Sequence, residues 1–201
     1  MKLFYAPGAC SLAPHIIIRE AGLDVALDKV TFGPERTTTD GRNFYDVNPQ
    51  GAVPALELDS GEVLTEAQVL MQYLASLAPA KNLAPQDGMT RWKLLETLNF
   101  IATELHKGTS PLFKKPSPEA REAAVKNLVN RFGLLDSKLG DKPYLLGDFT
   151  IADAYAFVTL RWARAFEIDL SSLSRLQTYF ERIRQRPAVQ QTLQEEGLPT
   201  S

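Results

Sequence analysis

The spacing of apolar positions divides the chain into two parts with different predicted secondary structure. Up to residue 79, short strand-like runs alternate with helix-like stripes in the order β-α-β-(α)-β-β-α. Lys2 to Tyr5 fits a strand and Ser11 to Glu20 a helix. Val53 to Leu58 and Val63-Leu64 flank a turn that contains glycine, which predicts a hairpin. This alternation predicts a small α/β domain.

From Met89 onward, apolar residues recur at helical spacing almost throughout, and no run fits a strand. One stripe consists of Trp92, Leu95, Leu98, Ile101, Ala102 and Leu105, and another of Ala123, Ala124, Leu128, Phe132 and Leu135. Ser117 and Pro118 are typical of an N-cap and a first helical position before the second stripe. Because two prolines, an asparagine and a glycine interrupt residues 79–88, we predict an α/β domain over 1–79 and an all-α domain over 88–201.

The segment after Gly147 carries a helix-start signal. Thr150 can accept from the backbone N–H of Asp153, and the Asp153 carboxylate can reach back to the N–H of Thr150. Ala, Tyr, Phe, Val, Leu and Trp dominate the positions that follow, which predicts a central helix. We therefore assign Asp153 a capping role rather than an acid catalyst's role.

Composition excludes several classes of function. The chain has a net charge of −2, 44% hydrophobic and 23% charged residues, so no basic surplus indicates nucleic acid binding. Pro7-Gly8 interrupts the N-terminus before a long apolar segment develops, so we expect no signal peptide, no membrane span and a cytoplasmic protein. With one cysteine and two histidines, we expect no metal site.

The one cysteine, Cys10, stands where a predicted strand passes into a predicted helix. Backbone N–H groups and the helix dipole at such a position favour thiolate and lower the pKa from about 8.5 toward neutrality. The alternative is a buried cysteine that serves as a small apolar side chain. The position alone leaves both interpretations open.

Four motifs together resemble the glutathione transferase superfamily along the whole chain. They are the turn around Cys10, residues 48–56 (Asn-Pro-Gln-Gly-Ala-Val-Pro-Ala-Leu), residues 64–67 (Leu-Thr-Glu-Ala), and the cap from Gly147 to Asp153. Residues 7–12 and 104–108 resemble the bacterial beta class, which carries cysteine where other classes use tyrosine or serine. The resemblance implies a thioredoxin-like first domain, a helical second domain, a homodimer, and glutathione held in a cleft between the domains.

The resemblance also implies roles for individual residues. It places Cys10 near the glutathione sulfur, with His106 and Lys107 approaching from the second domain. Glutathione contacts are expected from Ala9, Ser11, Arg36, Val53, Pro54, Glu66, Ala67, Asn99, Thr103 and Glu104. The family has a cis-proline at the position of Pro54, and its usual lysine near Glu35 is absent here, so we assign that role to Arg36.

For some of these residues a purely structural role is an alternative to contact with glutathione. Glu66 can be a first-turn acid that complements a helix dipole, and His106 can border the core. Asn99, about two helical turns before His106, is expected to share its face. His15 is expected to face packing partners, and an apolar pocket for the second substrate is expected around Phe113 and Trp162.

The predicted function is conjugation of reduced glutathione to small electrophilic, largely apolar substrates. One alternative is thiol-disulfide exchange or peroxide reduction through a mixed disulfide of Cys10 with glutathione. Another is a non-catalytic binding protein with the same fold.

Overall fold

The computed structural model describes residues 1–33 and 35–200. The chain divides into two compact units, 1–84 together with 186–201, and 85–185. The break between them falls inside the predicted linker over 79–88. At the C-terminal end the units differ from the predicted domains, since residues 186–201 group with the first unit.

The first unit contains a four-stranded mixed sheet with the predicted order of elements. Strand β1 lies between β2 and β3 and runs parallel to β2, whereas β3 is antiparallel to both β1 and β4. The elements are β1 (Lys2–Tyr5), α1 (Leu12–Ala21), β2 (Ala26–Lys29), a 3-10 turn (Phe44–Asp46), β3 (Ala55–Glu57), β4 (Val63–Thr65) and α2 (Ala67–Ser76).

The register of the sheet brings two loops of the sequence together. Phe4 pairs with Ala55, so the end of β1 lies beside the beginning of β3. The turn after β1 contains Cys10, and the segment just before β3 contains Val53 and Pro54. Phe4 and Ala55 are fully buried and belong to a core that also contains Ala6, Val30, Phe44 and Val53.

The second unit is helical, which confirms the predicted fold class. It contains α3 (Gly88–Phe100), a π-helical segment (Ile101–His106), α4 (Lys107–Thr109), α5 (Pro118–Leu139), α6 (Ile151–Ala165) and α7 (Ser174–Arg184). Helix α6 is the most buried of these, with twelve buried residues along its length. Its apolar sequence predicted this central position. The chain ends with α8 (Pro187–Glu195), which packs on α1 within the first unit.

The predicted stripe along α3 is wrong at its N-terminal end. Trp92 is 65% exposed, and the buried positions of α3 are Leu94, Thr97 and Leu98. Beyond residue 100 the helix continues with π-type hydrogen bonding, which regular 3.6-residue spacing does not predict. Ile101 and Leu105 are buried, as expected.

Both predicted helix starts are present. The Ser117 hydroxyl accepts from the N–H of Ala120 at 3.3 Å, with Pro118 as the first residue of α5. At the start of α6 the capping box of Thr150 and Asp153 is formed. The Asp153 carboxylate accepts from the Thr150 N–H at 2.8 Å and from the Thr150 hydroxyl at 3.0 Å.

Within the described residues, no helix combines the length and the hydropathy that a membrane span requires.

Candidate active site

The turn that carries Cys10 is closed by its own hydrogen bonds. The N–H of Ala9 donates to the Ala6 carbonyl at 3.0 Å. The buried Ser11 hydroxyl accepts from the Ala6 N–H at 3.1 Å and donates to the Ala6 carbonyl at 3.2 Å. The Ser11 side chain therefore fixes the turn, and its hydroxyl is directed inward rather than toward a ligand.

Cys10 is half-buried as a residue, and its thiol group is directed into the protein. Its Sγ donates to the Val53 carbonyl at 3.2 Å. Burial raises the pKa of Cys10 to about 12, and the charge of Glu66 acts in the same direction, against the lowering effect of the N–H groups of Cys10 and Ser11. Of the two interpretations that the sequence left open, this structure favours the buried cysteine, because the N–H donors are present but burial outweighs their effect on the pKa of Cys10.

The Val53-Pro54 peptide bond is cis, as the resemblance implies. Val53 is 8% exposed, and its carbonyl accepts the Cys10 thiol. A carbonyl oxygen has two lone pairs, so the Val53 carbonyl can accept a second hydrogen bond beside that of the Cys10 thiol.

Helix α2 begins at Ala67, with the exposed Glu66 as its N-cap. Glu66 has a φ of 68°, an uncommon conformation for a residue with a side chain. Its carbonyl accepts from Val69 and Leu70, at 2.9 and 3.0 Å. The N–H groups of Ala67 and Gln68 thus lie in the first turn, where no intrahelical acceptor exists and anions are favoured.

Arg36 is held between two partly exposed aromatic rings. Its guanidinium lies 4.6 Å from the centre of the Phe32 ring and 5.9 Å from that of Tyr45. Its carbonyl accepts from the Phe44 N–H at 2.7 Å. Stacking of this kind restrains a cation without neutralising it, which favours Arg36 as the anion-binding residue of this loop. Pro34, in the same loop, lies outside the described residues.

In the second unit, His106 is enclosed by side chains of α6. Its Nδ1 lies 2.6 Å from the Tyr155 hydroxyl, and its ring centre lies 5.0 Å from that of Trp162. Burial, and then the charge of Lys107, lowers the pKa of His106. His106 is therefore neutral at neutral pH, and the adjacent Lys107 is exposed.

An aromatic row continues from His106 along the end of α6. Trp162 meets Phe113 edge-on at 5.4 Å, and Phe113 meets Phe166 edge-on at 4.9 Å. Phe113 is 55% exposed, whereas Trp162 is 6% exposed. This places the two residues of the predicted apolar pocket in contact, with Phe113 as the accessible one.

Asn99, Thr103 and Glu104 lie together, apart from the aromatic row. They line a cavity of about 340 Å³, with Glu96, Phe100, Leu134 and Lys138. The Thr103 hydroxyl donates to the Asn99 carbonyl at 3.0 Å, and Glu104 pairs with Arg131 at 2.9 Å. The π-helical segment Ile101–His106 follows Asn99 and departs from the regular helical spacing on which a face shared with His106 depends. That Asn99 shares a face with His106 stays a prediction.

In residues 1–33 and 35–200, no three side chains of His, Cys, Asp or Glu are grouped as a metal site would require.

Two family models match most of the chain. Residues 8–77 match the glutathione S-transferase N-terminal domain and residues 100–187 the glutathione S-transferase C-terminal domain. Glutathione S-transferase GstA of Escherichia coli O157:H7 is 46% identical over 201 residues, covering 98% of this chain and 100% of the relative. The chain belongs to the glutathione S-transferase family.

Solved glutathione S-transferase structures agree with this membership. A bacterial beta class enzyme from Sphingomonas chungbukensis is 45% identical with a TM-score of 0.94, covering 99% of this chain and 100% of that one. A sphingomonad glutathione S-transferase complexed with glutathione is 44% identical with a TM-score of 0.93, at the same coverage. These similarities confirm the predicted family and its beta class resemblance.

The sequence did not reveal the partner of His106 in this glutathione S-transferase. Tyr155 lies 49 residues away in an apolar helix, where it was interpreted as part of the core. No spacing rule connects it to His106, since the contact arises only when α6 packs against the π-helical segment. A phenol in the largely apolar helix α6 is the available signal, because a buried tyrosine hydroxyl usually has a hydrogen-bond partner.

Proposed function

We propose that the protein conjugates reduced glutathione to small electrophilic, largely apolar substrates. We further propose that it acts in the cytoplasm as a homodimer. In this reaction the glutathione thiolate attacks an electrophilic carbon, a carbon–sulfur bond forms, the leaving group departs with its electron pair, and the thiol proton passes to solvent.

The observation that carries the proposal is the convergence of three features within the first unit. The Cys10 turn and the cis Val53-Pro54 segment meet through the 3.2 Å thiol–carbonyl hydrogen bond. Glu66 is close enough for its charge to raise the pKa of Cys10. The ammonium group of a γ-glutamyl moiety would find an anionic partner in the Glu66 carboxylate, and its carboxylate would find anion-binding N–H groups in the first turn of α2.

Cys10 is proposed to accompany the glutathione sulfur as a hydrogen-bond donor. A thiol with a pKa of about 12 holds its proton at neutral pH and is a poor nucleophile. The same proton can turn from the Val53 carbonyl to a bound thiolate, a stronger acceptor. Ala9 and Ser11 are proposed to contribute through the backbone of the turn, and Arg36 through its restrained guanidinium.

His106 and Lys107 are proposed to serve the same reaction from the second unit. A neutral imidazole and an exposed ammonium group stabilise negative charge on sulfur or on the electrophile. Asn99 is proposed to contact the γ-glutamyl group of the glutathione in the other subunit of the homodimer, and Thr103 and Glu104, which line the same cavity, are proposed as further glutathione contacts. The exposed face of Phe113 is proposed to receive the apolar electrophile.

Disulfide exchange through Cys10 is the second candidate function. The observation that favours it is that Cys10 is only partly buried as a residue. Exchange requires the Cys10 thiolate to attack a disulfide sulfur, and a second glutathione must then release the mixed disulfide, since the chain has one cysteine. The raised pKa of Cys10 ranks this candidate below conjugation.

Cys10→Ala separates the two candidates. We expect the variant to keep conjugation of glutathione to chlorodinitrobenzene within about tenfold of wild type, because one weak donor contributes about 1 kcal/mol. Reduction of a glutathione mixed disulfide should be lost. Both rates are measured by absorbance under the same conditions.

Cys10→Ser is the matched control, since a hydroxyl can donate to the same carbonyl or thiolate. We expect it to conjugate at a rate closer to wild type than Cys10→Ala does. Conjugation abolished in Cys10→Ala and Cys10→Ser alike would contradict the donor role and assign the chemistry to the sulfur of Cys10 itself.

A further inference from the structure

Two side chains of α6, Tyr155 and Trp162, hold the imidazole ring of His106 in place. Nδ1 lies 2.6 Å from the Tyr155 hydroxyl, a short distance for a hydrogen bond between oxygen and nitrogen. Trp162 contacts the ring at 5.0 Å between centres, with the two planes at 61°. Tyr155 is 2% exposed, so its hydroxyl is held in place by packing. These contacts involve Nδ1 and leave Nε2 as the other hydrogen-bonding atom of the ring.

The chemistry of the pair decides which atom carries the hydrogen. Because burial and Lys107 lower the pKa of His106, the imidazole is neutral at neutral pH and has one N–H. A phenol is a stronger hydrogen-bond donor than a neutral imidazole N–H, and an imidazole nitrogen is a stronger acceptor than a phenol oxygen. The Tyr155 O–H therefore donates to Nδ1, and the ring hydrogen resides on Nε2.

We propose that Tyr155 is a positioning residue that holds His106 in the Nε2–H tautomer, so that His106 acts as a hydrogen-bond donor rather than a base. The functional half of this inference rests on the proposed conjugation. During that reaction negative charge moves from sulfur to the electrophile, and a fixed N–H stabilises it without giving up its proton. A base would need an unprotonated Nε2, which the Tyr155 hydrogen bond disfavours.

The tautomer is measured directly by nitrogen-15 NMR of the imidazole rings in the ligand-free protein. The chain has two histidines, so His106→Gln assigns the signals. In wild type we expect a protonated Nε2 and an unprotonated Nδ1 for His106 at neutral pH. A protonated Nδ1 would overturn the inference, and this wild-type result decides it even if a variant fails to fold.

Tyr155→Phe removes the hydroxyl and keeps the ring. Loss of the phenol donor removes the preference for an unprotonated Nδ1, so the Nδ1–H tautomer should appear at neutral pH. Tyr73→Phe, which removes a phenol hydroxyl from α2, is the matched control and should leave the tautomer of His106 unchanged. An unchanged tautomer in Tyr155→Phe would contradict the role of Tyr155.

Kinetics then test the functional half separately. Tyr155→Phe should lower kcat for conjugation by about three- to tenfold and leave KM for glutathione unchanged, because the donor acts on charge that develops during the reaction. If Tyr155→Phe changes the tautomer of His106 as expected but leaves kcat unchanged, His106 is not a hydrogen-bond donor in the reaction. If wild type does not conjugate glutathione, the proposed function fails, while the NMR result still decides the tautomer.

Discussion

Asp153→Asn should lower the free energy of unfolding of the second unit by about 4 kcal/mol, although asparagine has nearly the same shape as aspartate. The Asp153 carboxylate accepts four hydrogen bonds: from the N–H of Leu145 at 2.9 Å, the N–H of Thr150 at 2.8 Å, the Thr150 hydroxyl at 3.0 Å and the Tyr179 hydroxyl at 2.8 Å. Two donors face each oxygen, so the amide NH₂ of asparagine would meet donors in either orientation. Asp153 is 0% exposed, and water cannot relieve the conflict.

Thermal unfolding measures this effect. About 4 kcal/mol corresponds to a fall in Tm of about 8–16 °C for a chain of this size. Asp148→Asn, an exposed carboxylate five residues earlier in the same segment, is the matched control and should shift Tm by less than about 2 °C. Equal shifts in Asp153→Asn and Asp148→Asn would show that Asp153 does not join the start of α6 to α7 as described.

Glu196→Gln should lower the stability of the first unit by about 2–3 kcal/mol. Glu196 is buried beside the C-terminal end of α8. One of its oxygens lies 2.9 Å from His15 Nδ1, and the other accepts from the Gly8 N–H at 2.9 Å. A glutamine can accept from the Gly8 N–H with its amide oxygen and donate to His15 Nδ1, but it replaces two hydrogen bonds to a buried carboxylate with weaker neutral ones and restricts His15 to one tautomer. The change would loosen the contact between α8 and the turn that carries Cys10.

Glu195→Gln is the matched control on the other side of the same imidazole. Glu195 lies 2.8 Å from His15 Nε2, but its side chain is 30% exposed and also contacts Arg19. Water can therefore replace a lost contact, and we expect a cost below about 1 kcal/mol. Thermal unfolding of both variants gives the comparison. A larger loss for Glu195→Gln than for Glu196→Gln would contradict the importance of the buried carboxylate.

Local signals in the sequence predicted most of the fold. The strand and helix order of the first unit, the Ser117 cap and the Thr150–Asp153 capping box all depend on residues a few positions apart, and all are present. Trp92 was predicted to face the core because it lies at helical spacing from Leu95 and Leu98, but its side chain is exposed. Helical spacing alone therefore does not show that an apolar side chain is buried in its own unit.

The parts of the candidate site that the sequence did not predict depend on distant contacts or on burial. The partners of His15 lie about 180 residues away, and the partner of His106 lies 49 residues away. The position of Cys10 before α1 supplied the N–H donors that favour thiolate, yet its burial raises the pKa to about 12. Cys10 meets the Val53 carbonyl 43 residues away, next to the paired strands β1 and β3, and no local sequence pattern reports a contact of that separation.

The central claim is that this chain joins glutathione to an electrophilic carbon, and the most direct measurement is identification of the product. Wild-type protein is incubated with glutathione and chlorodinitrobenzene, and the dinitrophenyl conjugate is quantified by mass spectrometry against a protein-free control. We predict conjugate formation above that background, at a rate that saturates with glutathione. Folded protein that forms no conjugate above background and releases no heat on titration with glutathione would contradict the account.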